Sequence, residues 1–438
     1  MIVDFTFKNF RSFRDEAMLS LHAEHPKNNL LKNIAYPSKD DLSVLRSAVI
    51  YGPNASGKSN ILLALSALKF VVCETHSFPK DRVIACYEPY LLSEASKNEP
   101  TEMELEFVIE DGKRFRYKIS FTDRKVVSES LDYFPNKVPA NIFDRKPEDT
   151  WETVNFGGYY KGGSKRIPFF DNNSYLSKAG NSAASPKLIR DVYEYFSAMM
   201  VFDLDYKMPI ATIYQHEAML KFTSDLLKYV DVGVSGITKQ EKNFQNFPPD
   251  MPNRFRERFI RENKYEFMFH HKNDKGEDVL FRKTEESEGT QKLFSMFPAI
   301  VTCLKIGGVL VMDELENSFH PHIAEILIKI FNDPDVNVNN AQLIFTTHNI
   351  ELMSHRLFRR DQIWFTSKDN GHSTLYSLDE FDKSTVTTTS PFGDWYADGR
   401  FGAVPHVKYK DICNYLVESL DLRGDQEKHS APKMEEEE

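Results

Sequence analysis

Arg46-Ser-Ala-Val-Ile-Tyr51, Gly52-Pro-Asn-Ala-Ser-Gly-Lys58-Ser59 and Asn60-Ile-Leu-Leu-Ala-Leu-Ser-Ala-Leu-Lys-Phe-Val-Val72 follow one another without a break. The first run has the length and apolar character of a buried strand, and the third has a helical pattern. The eight residues between them match G-x-x-x-x-G-K-[ST], in the strand-loop-helix order that the chemistry of that loop requires. Gly52 and Gly57 let backbone N–H groups turn inward around phosphate oxygens, with Pro53, Asn54, Ala55 and Ser56 forming the wall between them. The positive end of the following helix favours the same anion. Lys58 is expected to reach the β and γ phosphates, and Ser59 a Mg²⁺ ion. ATP and Mg²⁺ are therefore the expected ligands.

Downstream, Gly308-Val-Leu-Val-Met-Asp313-Glu314 reads as a short buried strand ending in two acids. A carboxylate there can hold hydrated Mg²⁺, and its neighbour can polarise a water for attack on the γ phosphate. Alone this is a weak signal, because apolar strands often end in Asp. Together with the glycine loop it assigns Asp313 to the metal and Glu314 to the water. Before it, Ser287-Glu-Gly289 opens a helix-like run from Lys292 to Leu304. A Ser and a Gly at a helix N-terminus make either an anion site or an ordinary cap. A further strand, Ala341 to Phe345, ends in Thr346-Thr347-His348.

That succession of motifs resembles the AAA15 family of cassette-type (ABC-type) ATPases, relatives of RecF, SMC heads and the ATPase half of OLD proteins. The opening Phe7-Lys-Asn-Phe-Arg-Ser-Phe13, the phrase Asp313-Glu-Leu-Glu-Asn-Ser-Phe-His320-Pro and the late Gly399-Arg-Phe-Gly-Ala-Val-Pro405 belong to the same likeness. It implies an α/β P-loop NTPase of the SMC-head type, with a mixed sheet, an antiparallel β-subdomain and a largely helical insertion. It also implies that Ser287 and Gly289 meet the γ phosphate bound by a second protomer. His348 is the implied switch histidine, and Asn317 to His320 the loop that crosses the dimer. Homodimers or higher homo-oligomers through the ATP sites follow. The nearest functional analogy is the ATPase half of two-gene phage-defence systems of the PARIS, Septu and AbiL types, in which a companion nuclease or toxin is the effector. A RecF-like role in DNA repair or DNA-end binding is the alternative, and a transporter ATPase a weaker third.

Two departures from the family pattern stand out. No glutamine follows the loop helix before Gln215, which leaves the usual Mg²⁺-sensing position to another residue, near Glu88 to Tyr90. Glu288 also sets an acid inside the expected anion site.

Outside these motifs, Met1 to Phe13 alternates like a half-buried strand, and Glu102 to Ile109, Arg114 to Phe121 and Val126 to Phe134 read as antiparallel strands. The expected division is 1–134 for a first ATPase lobe, 135–285 for an insertion, 286–410 for a second lobe, and 411–438 for a C-terminal helix with an acidic tail. Within the insertion, Leu188 to Val201 and Ala211 to Tyr229 read as helices, and Lys264 to His271 with Asp278 to Lys283 as a hairpin. The tail from Gly424 to Glu438 is expected to be disordered.

The chain has 438 residues with 41% hydrophobic and 27% charged, enough for a substantial core in about two to three lobes. Lys plus Arg number 55 against 65 Asp plus Glu, a formal charge of -10 that gives no general affinity for nucleic acid. A local groove using Lys161, Lys165, Arg166 and the arginines 254, 256, 258 and 261 leaves DNA as a possible partner. No apolar run reaches the about 18 residues of a membrane span, and the 4 cysteines form no CxxC pair. Both point to a cytoplasmic protein with packing thiols. His270-His271 and His320-Pro-His322 alternate faces and do not suggest a shared metal. Asp379, Glu380 and Asp382 lack the strand motif that a nuclease centre needs.

Overall fold

Nine aromatic or aliphatic side chains in the first 21 residues are buried, and they set the first sheet in place. The computed structural model describes residues 1–438 except 25, 26, 28, 39, 40, 203–209, 231, 232, 245, 246, 249, 317–320, 406, 407 and 421–438. β1 (Ile2–Lys8) buries Phe5 and Phe7 on one face, as its alternation predicts. It ends at Lys8 rather than continuing to Phe13, because Asn9 and Arg11 take left-handed conformations (φ 54° and 50°) and fold the chain into a tight turn. β2 (Ala17–Ser20) then pairs back on β1, and β3 (Ile34–Ala35) and β4 (Val44–Leu45) form a small separate ladder.

β5 (Ser47–Tyr51) is buried along its whole length and runs through the glycine loop into α1 (Lys58–Glu74). The chain returns to the first sheet as β6 (Thr101–Val108), β7 (Arg114–Phe121), β8 (Val126–Phe134), β9 (Ala140–Arg145) and β10 (Asn155–Phe156). This antiparallel sheet has the order β10-β9-β8-β7-β6-β1-β2.

α2 (Tyr175–Gly180) and the amphipathic α3 (Lys187–Ala198) pack with α1, and β11 (Met200–Phe202) follows. α4 (Ile210–Ile213) and α5 (Glu217–Val230) lead to a three-stranded sheet of β12 (Val234–Glu241), β13 (Tyr265–Lys272) and β14 (Asp278–Arg282), with α6 (Asn253–Asn263) between the first two strands. α7 (Glu288–Ile306), β15 (Val309–Met312), α8 (Pro321–Asn332), β16 (Gln342–Thr346), β17 (Ile363–Asp369), β18 (His372–Ser377) and α9 (Phe392–Ala397) complete this body.

Residues 1–403 form one compact unit. α10 (Tyr409–Ser419) belongs to a second, from residue 404 on.

Segment 135–285 carries α2 to α6 and the expected hairpin, yet it is not a self-contained insertion. β9 pairs with β8 across the expected boundary at 134, and β11 joins the second large sheet. Val201, read as the end of a helix, lies in β11 because α3 stops at Ala198 and the next residues run parallel to β15. That second sheet has the order β11-β15-β16-β5-β17-β18, parallel except for β18. Its central strands β5, β15 and β16 are buried along their whole length and largely apolar, as expected for a parallel sheet covered on both faces.

One buried side chain stitches the two large sheets together. Gln342 of β16 accepts from the Ile2 N–H at 2.5 Å and donates to the carbonyls of Ile2 and Leu45, each at 2.9 Å. Among the described residues, no helix is long and apolar enough to cross a membrane. The acidic tail expected from Gly424 onward lies outside the described residues.

Candidate functional site

β5, β15 and β16 are parallel neighbours, so the loops that leave their C-terminal ends share one rim of the sheet. This is where open α/β sheets place ligands. The first of these loops is Gly52 to Gly57. A Cβ on Gly52 would lie 2.4 Å from Thr366 Oγ1 and 2.5 Å from the Thr366 carbonyl. Gly57 has φ 114°, and a Cβ there would meet Ser373 Oγ at 2.7 Å and Phe13 at 3.0 Å. Both glycines are thus imposed by close approach, and Ala55 adds a left-handed residue at the loop's tip (φ 61°). Ser56 Oγ is 2.5 Å from Thr366 Oγ1, which ties the loop to β17.

Lys58 opens α1 and is buried; its ammonium donates to the carbonyls of Gly52 at 2.9 Å and Pro53 at 3.0 Å. Burial pulls its pKa below the ordinary lysine value, opposed by Asp313, Glu314 and Glu316. Ser59 stands half-buried at the next position.

The turn after β1 braces this loop from the other side. Asn9 donates to the carbonyls of Ser96 and Glu99, both at 2.8 Å, and its side-chain oxygen accepts from the Tyr90 N–H. The fixed turn presents Arg11 and Ser12 to α1. Asn60 donates to Ser12 Oγ at 2.7 Å, Arg11 donates to Asn60 at 3.3 Å, and Ser373 donates to the Ser56 carbonyl at 2.6 Å with its Oγ 2.7 Å from Ser12 Oγ. A cavity of about 610 Å³ opens here, lined by Arg11, Asn60, Tyr90, Leu91, Leu92 and Lys368 among others. Apart from the span Glu88 to Tyr90 and the place of Arg11 in the opening Phe7–Phe13 phrase, sequence reading gave these residues no role. The available signal was the Asn9-x-Arg11-Ser12 turn together with Asn60 directly after Ser59. Glu88, suggested for the missing glutamine's position, is held by Arg11, whose guanidinium donates to both of its oxygens.

The acids come from the next strands. Thr346, at the end of β16, donates to Asp313 Oδ1 at 2.5 Å and accepts from the Glu314 N–H at 2.8 Å, fixing both residues with one hydroxyl. Glu314 has φ 48°, an uncommon left-handed conformation for a residue other than glycine. Glu316 adds a third carboxylate, which accepts from the His348 N–H at 2.6 Å through Oε1. Tyr51 lies near it, and burial followed by Glu316 raises the phenol pKa well above its usual value. His348 is pushed below the ordinary histidine pKa by burial and by Lys58, against the pull of Glu316, Glu314 and Asp313. Lys292 of α7 is lowered by burial and raised by Glu316 and Glu314. Lys58, Asp313, Glu314 and His348 thus sit within one electrostatic neighbourhood, together with Glu316 and Lys292, which the sequence reading did not single out.

Other expected residues lie elsewhere. Ser287 is the N-cap of α7 and accepts from the Thr290 N–H at 3.1 Å, with Glu288 and Gly289 in the first turn. The capping alternative is therefore realised within this chain. Gln215 follows α4, and its carbonyl accepts from Lys239. Asp379 pairs with Arg360 and Lys383, and Asp382 accepts from the Ser384 N–H. His270 and His271 turn to different partners, Asp278 and Glu286. Asn317 to His320 lie outside the described residues.

Among the described residues, no three His, Cys, Asp or Glu side chains gather as an all-protein metal cage. The donors at this rim, one carboxylate and one hydroxyl beside an anion-binding loop, suit Mg²⁺, which keeps several waters and shares phosphate ligands.

Residues 47–354 match the family model described as "AAA domain, putative AbiEii toxin, Type IV TA system". No curated protein matches the chain. Among solved structures, the SMC head domain from Thermotoga maritima is similar at 15% identity and a TM-score of 0.38, over 86% of this chain and 98% of that one. An Smc head domain with an extended coiled coil, bound to the C-terminal domain of ScpA derived from Pyrococcus furiosus, has 13% identity and a TM-score of 0.38, over 86% and 97%. The recombination mediator protein RecF with ATP has 12% identity and a TM-score of 0.37, over 86% and 97%.

Proposed function

Since this chain belongs to the family of AAA domains described as putative AbiEii toxin, Type IV TA system, we propose that it is an ATPase hydrolysing ATP to ADP and phosphate at the rim formed by β5, β15 and β16. The observation that carries the reading is the convergence there of an anion-binding loop and Lys58 after β5 with the Asp313–Glu314 pair after β15, two parallel strands that flank β16. ATP enters with its phosphates against the N–H groups of residues 52–57, and Lys58 exchanges its bonds to Gly52 and Pro53 for phosphate oxygens. Ser59 and Asp313 would hold Mg²⁺, which would supply neutralising charge to the phosphates. Glu314 orients the attacking water and takes its proton, and His348, neutral at pH 7, faces the γ phosphate. Thr346 holds Asp313 by its carboxylate and Glu314 by its backbone N–H.

In the fuller reading, two protomers sandwich two ATP molecules, with Ser287 and Gly289 of one completing the site of the other. Hydrolysis then switches a companion effector, as in phage defence. A single chemical centre among the described residues supports this division of labour, and the exposed N-terminus of α7 supports the sandwich.

Two variants test the site. Lys58→Ala should abolish nucleotide binding measured by calorimetry. Glu314→Gln should bind ATP normally while turnover falls by roughly 10²-fold or more. Equal loss of binding in both would refute the assigned roles.

A further inference from the structure

The three-stranded sheet β12-β13-β14 leaves β14 as an open edge. All five of its residues are exposed, including three large apolar ones: Val279 at 41%, Leu280 at 45% and Phe281 at 38%. Edges are usually blunted by lysine, proline or a bulge, because unpaired N–H and C=O groups invite another strand. Asp278-Val-Leu-Phe-Arg282 has none of these.

Which groups face outward follows from the hairpin. Asn273 N–H donates to the Glu277 carbonyl at 3.0 Å, so these two form a hydrogen-bonded pair. Alternation along the antiparallel ladder then makes Lys272/Asp278 and His270/Leu280 non-bonded pairs, and His271/Val279 a bonded one. The backbone groups of Asp278, Leu280 and Arg282 therefore point away from β13. Arg282 bears this out, since its N–H donates to Glu285 Oε2 at 2.7 Å instead of to β13. Leu280 is the middle of the open edge.

We propose that β14 is an interface with a second copy of this chain. Two β14 strands pair antiparallel about a two-fold axis at Leu280, joining two three-stranded sheets into a six-stranded one. The sequence is self-complementary in that register. The N–H and C=O of Leu280 exchange bonds with those of the partner's Leu280, the narrow pair that an outward-facing residue makes. On one face Asp278 stands opposite Arg282 twice; on the other, Val279 stands opposite Phe281 twice, at the short separations of directly opposed residues. Parallel pairing would set Asp278 beside Asp278 and Arg282 beside Arg282, and a slipped antiparallel register would break both ion pairs, so the charges select this one arrangement. The Arg282 guanidinium can take a new partner, since it stands 3.9 Å from Glu266 and its side chain is 65% exposed, while Asp278 keeps Lys272 at 2.9 Å on Oδ1 and remains 44% exposed. Only the turn Lys283–Glu285 and Glu286 separate β14 from the Ser287 cap of α7, so the pairing would anchor the entry to that helix. The interface goes beyond the ATPase reading and does not depend on it.

The test uses the full chain without nucleotide, in the wild type and in Lys58→Ala, with mass measured by sedimentation over a concentration series. The wild type and Lys58→Ala should both rise from 50.7 kDa to twice that value. Leu280→Lys, Asp278→Arg and Arg282→Asp should each stay at the monomer mass. Mixing the Asp278→Arg and Arg282→Asp proteins should restore the dimer, because each supplies the charges the other lacks. Leu280→Cys should form a reducible cross-linked dimer, as opposed Cα atoms of such a pair are about 5.5 Å apart and within disulfide reach. Val138→Cys, exposed at 68% on another sheet's loop, should not. A wild type that stays monomeric, a dimer indifferent to the single charge changes, or no cross-link at Leu280→Cys would each overturn the proposal.

Discussion

His348 lies among one cation and three anions, and its ionisation reports their balance. Burial and the Lys58 ammonium both favour the neutral ring, so its titration midpoint should fall below the usual value of about 6.5. Lys58→Ala removes the repelling cation and leaves Asp313, Glu314 and Glu316, so the midpoint should move up. Imidazole NMR, with the resonance assigned by His348→Gln, checks this, and an unchanged or lower midpoint in Lys58→Ala would contradict the mapped neighbourhood. At this scale the glycine loop, Lys58, Asp313, Glu314 and His348 were legible, because backbone close approach and phosphate charge leave few residue choices. Glu316 and Lys292 were not, since a carboxylate two residues after Glu314 or a lysine one turn into α7 carries meaning only once β15, β16 and α7 are placed together. The Thr346 hydroxyl was hidden for the same reason: it acts across strands 33 residues apart in sequence from Asp313.

α2 is a short helix whose start depends on a carboxylate from a different element. Glu129 of β8, wholly buried, accepts from the N–H groups of Tyr175 at 2.6 Å and Leu176 at 2.9 Å, from the Ser174 hydroxyl at 2.9 Å and from the Tyr117 phenol at 2.9 Å. Arg145 of β9, also buried, stands 3.9 Å away. Removing this carboxylate leaves the buried Arg145 guanidinium with carbonyl partners but without its nearest counter-charge, and leaves the N–H groups uncapped. Glu129→Ala should therefore cost about 3–5 kcal/mol in chemical denaturation, with the ATP site itself unaltered in composition. A loss within the range of a surface substitution would show that the cluster relaxes freely. Elements with local signals, such as β1, β6 to β8 and the β13–β14 hairpin, could be read from alternation and turn residues. β9 and β11 could not: β9 joins the sheet of β8 across a stretch that looks like a domain boundary, and the three residues of β11 are defined by pairing with β15 rather than by any pattern of their own.

At the scale of the whole molecule, the described residues hold one chemical centre, at the rim of β5, β15 and β16. The purified chain should hydrolyse ATP slowly with Mg²⁺ and leave DNA, RNA and tRNA intact. Metal-dependent cleavage abolished by a substitution away from Lys58, Asp313 and Glu314 would overturn it. The exposed arginines of α6 are partly offset, Arg258 being paired with Glu262 at 2.7 Å, so charge alone does not mark that helix as a nucleic-acid surface. The Gln342 stitch between the two large sheets has a different kind of consequence. Its amide gives the Ile2 backbone, at the start of a peripheral-looking strand, partners inside the parallel sheet. Chain ends ordinarily fray and exchange their amide hydrogens through small local openings. Here the Ile2 amide is released only when β1 separates from β16. In hydrogen–deuterium exchange it should behave like the slowest amides of β5 and β16, and Gln342→Ala should return it to the fast class.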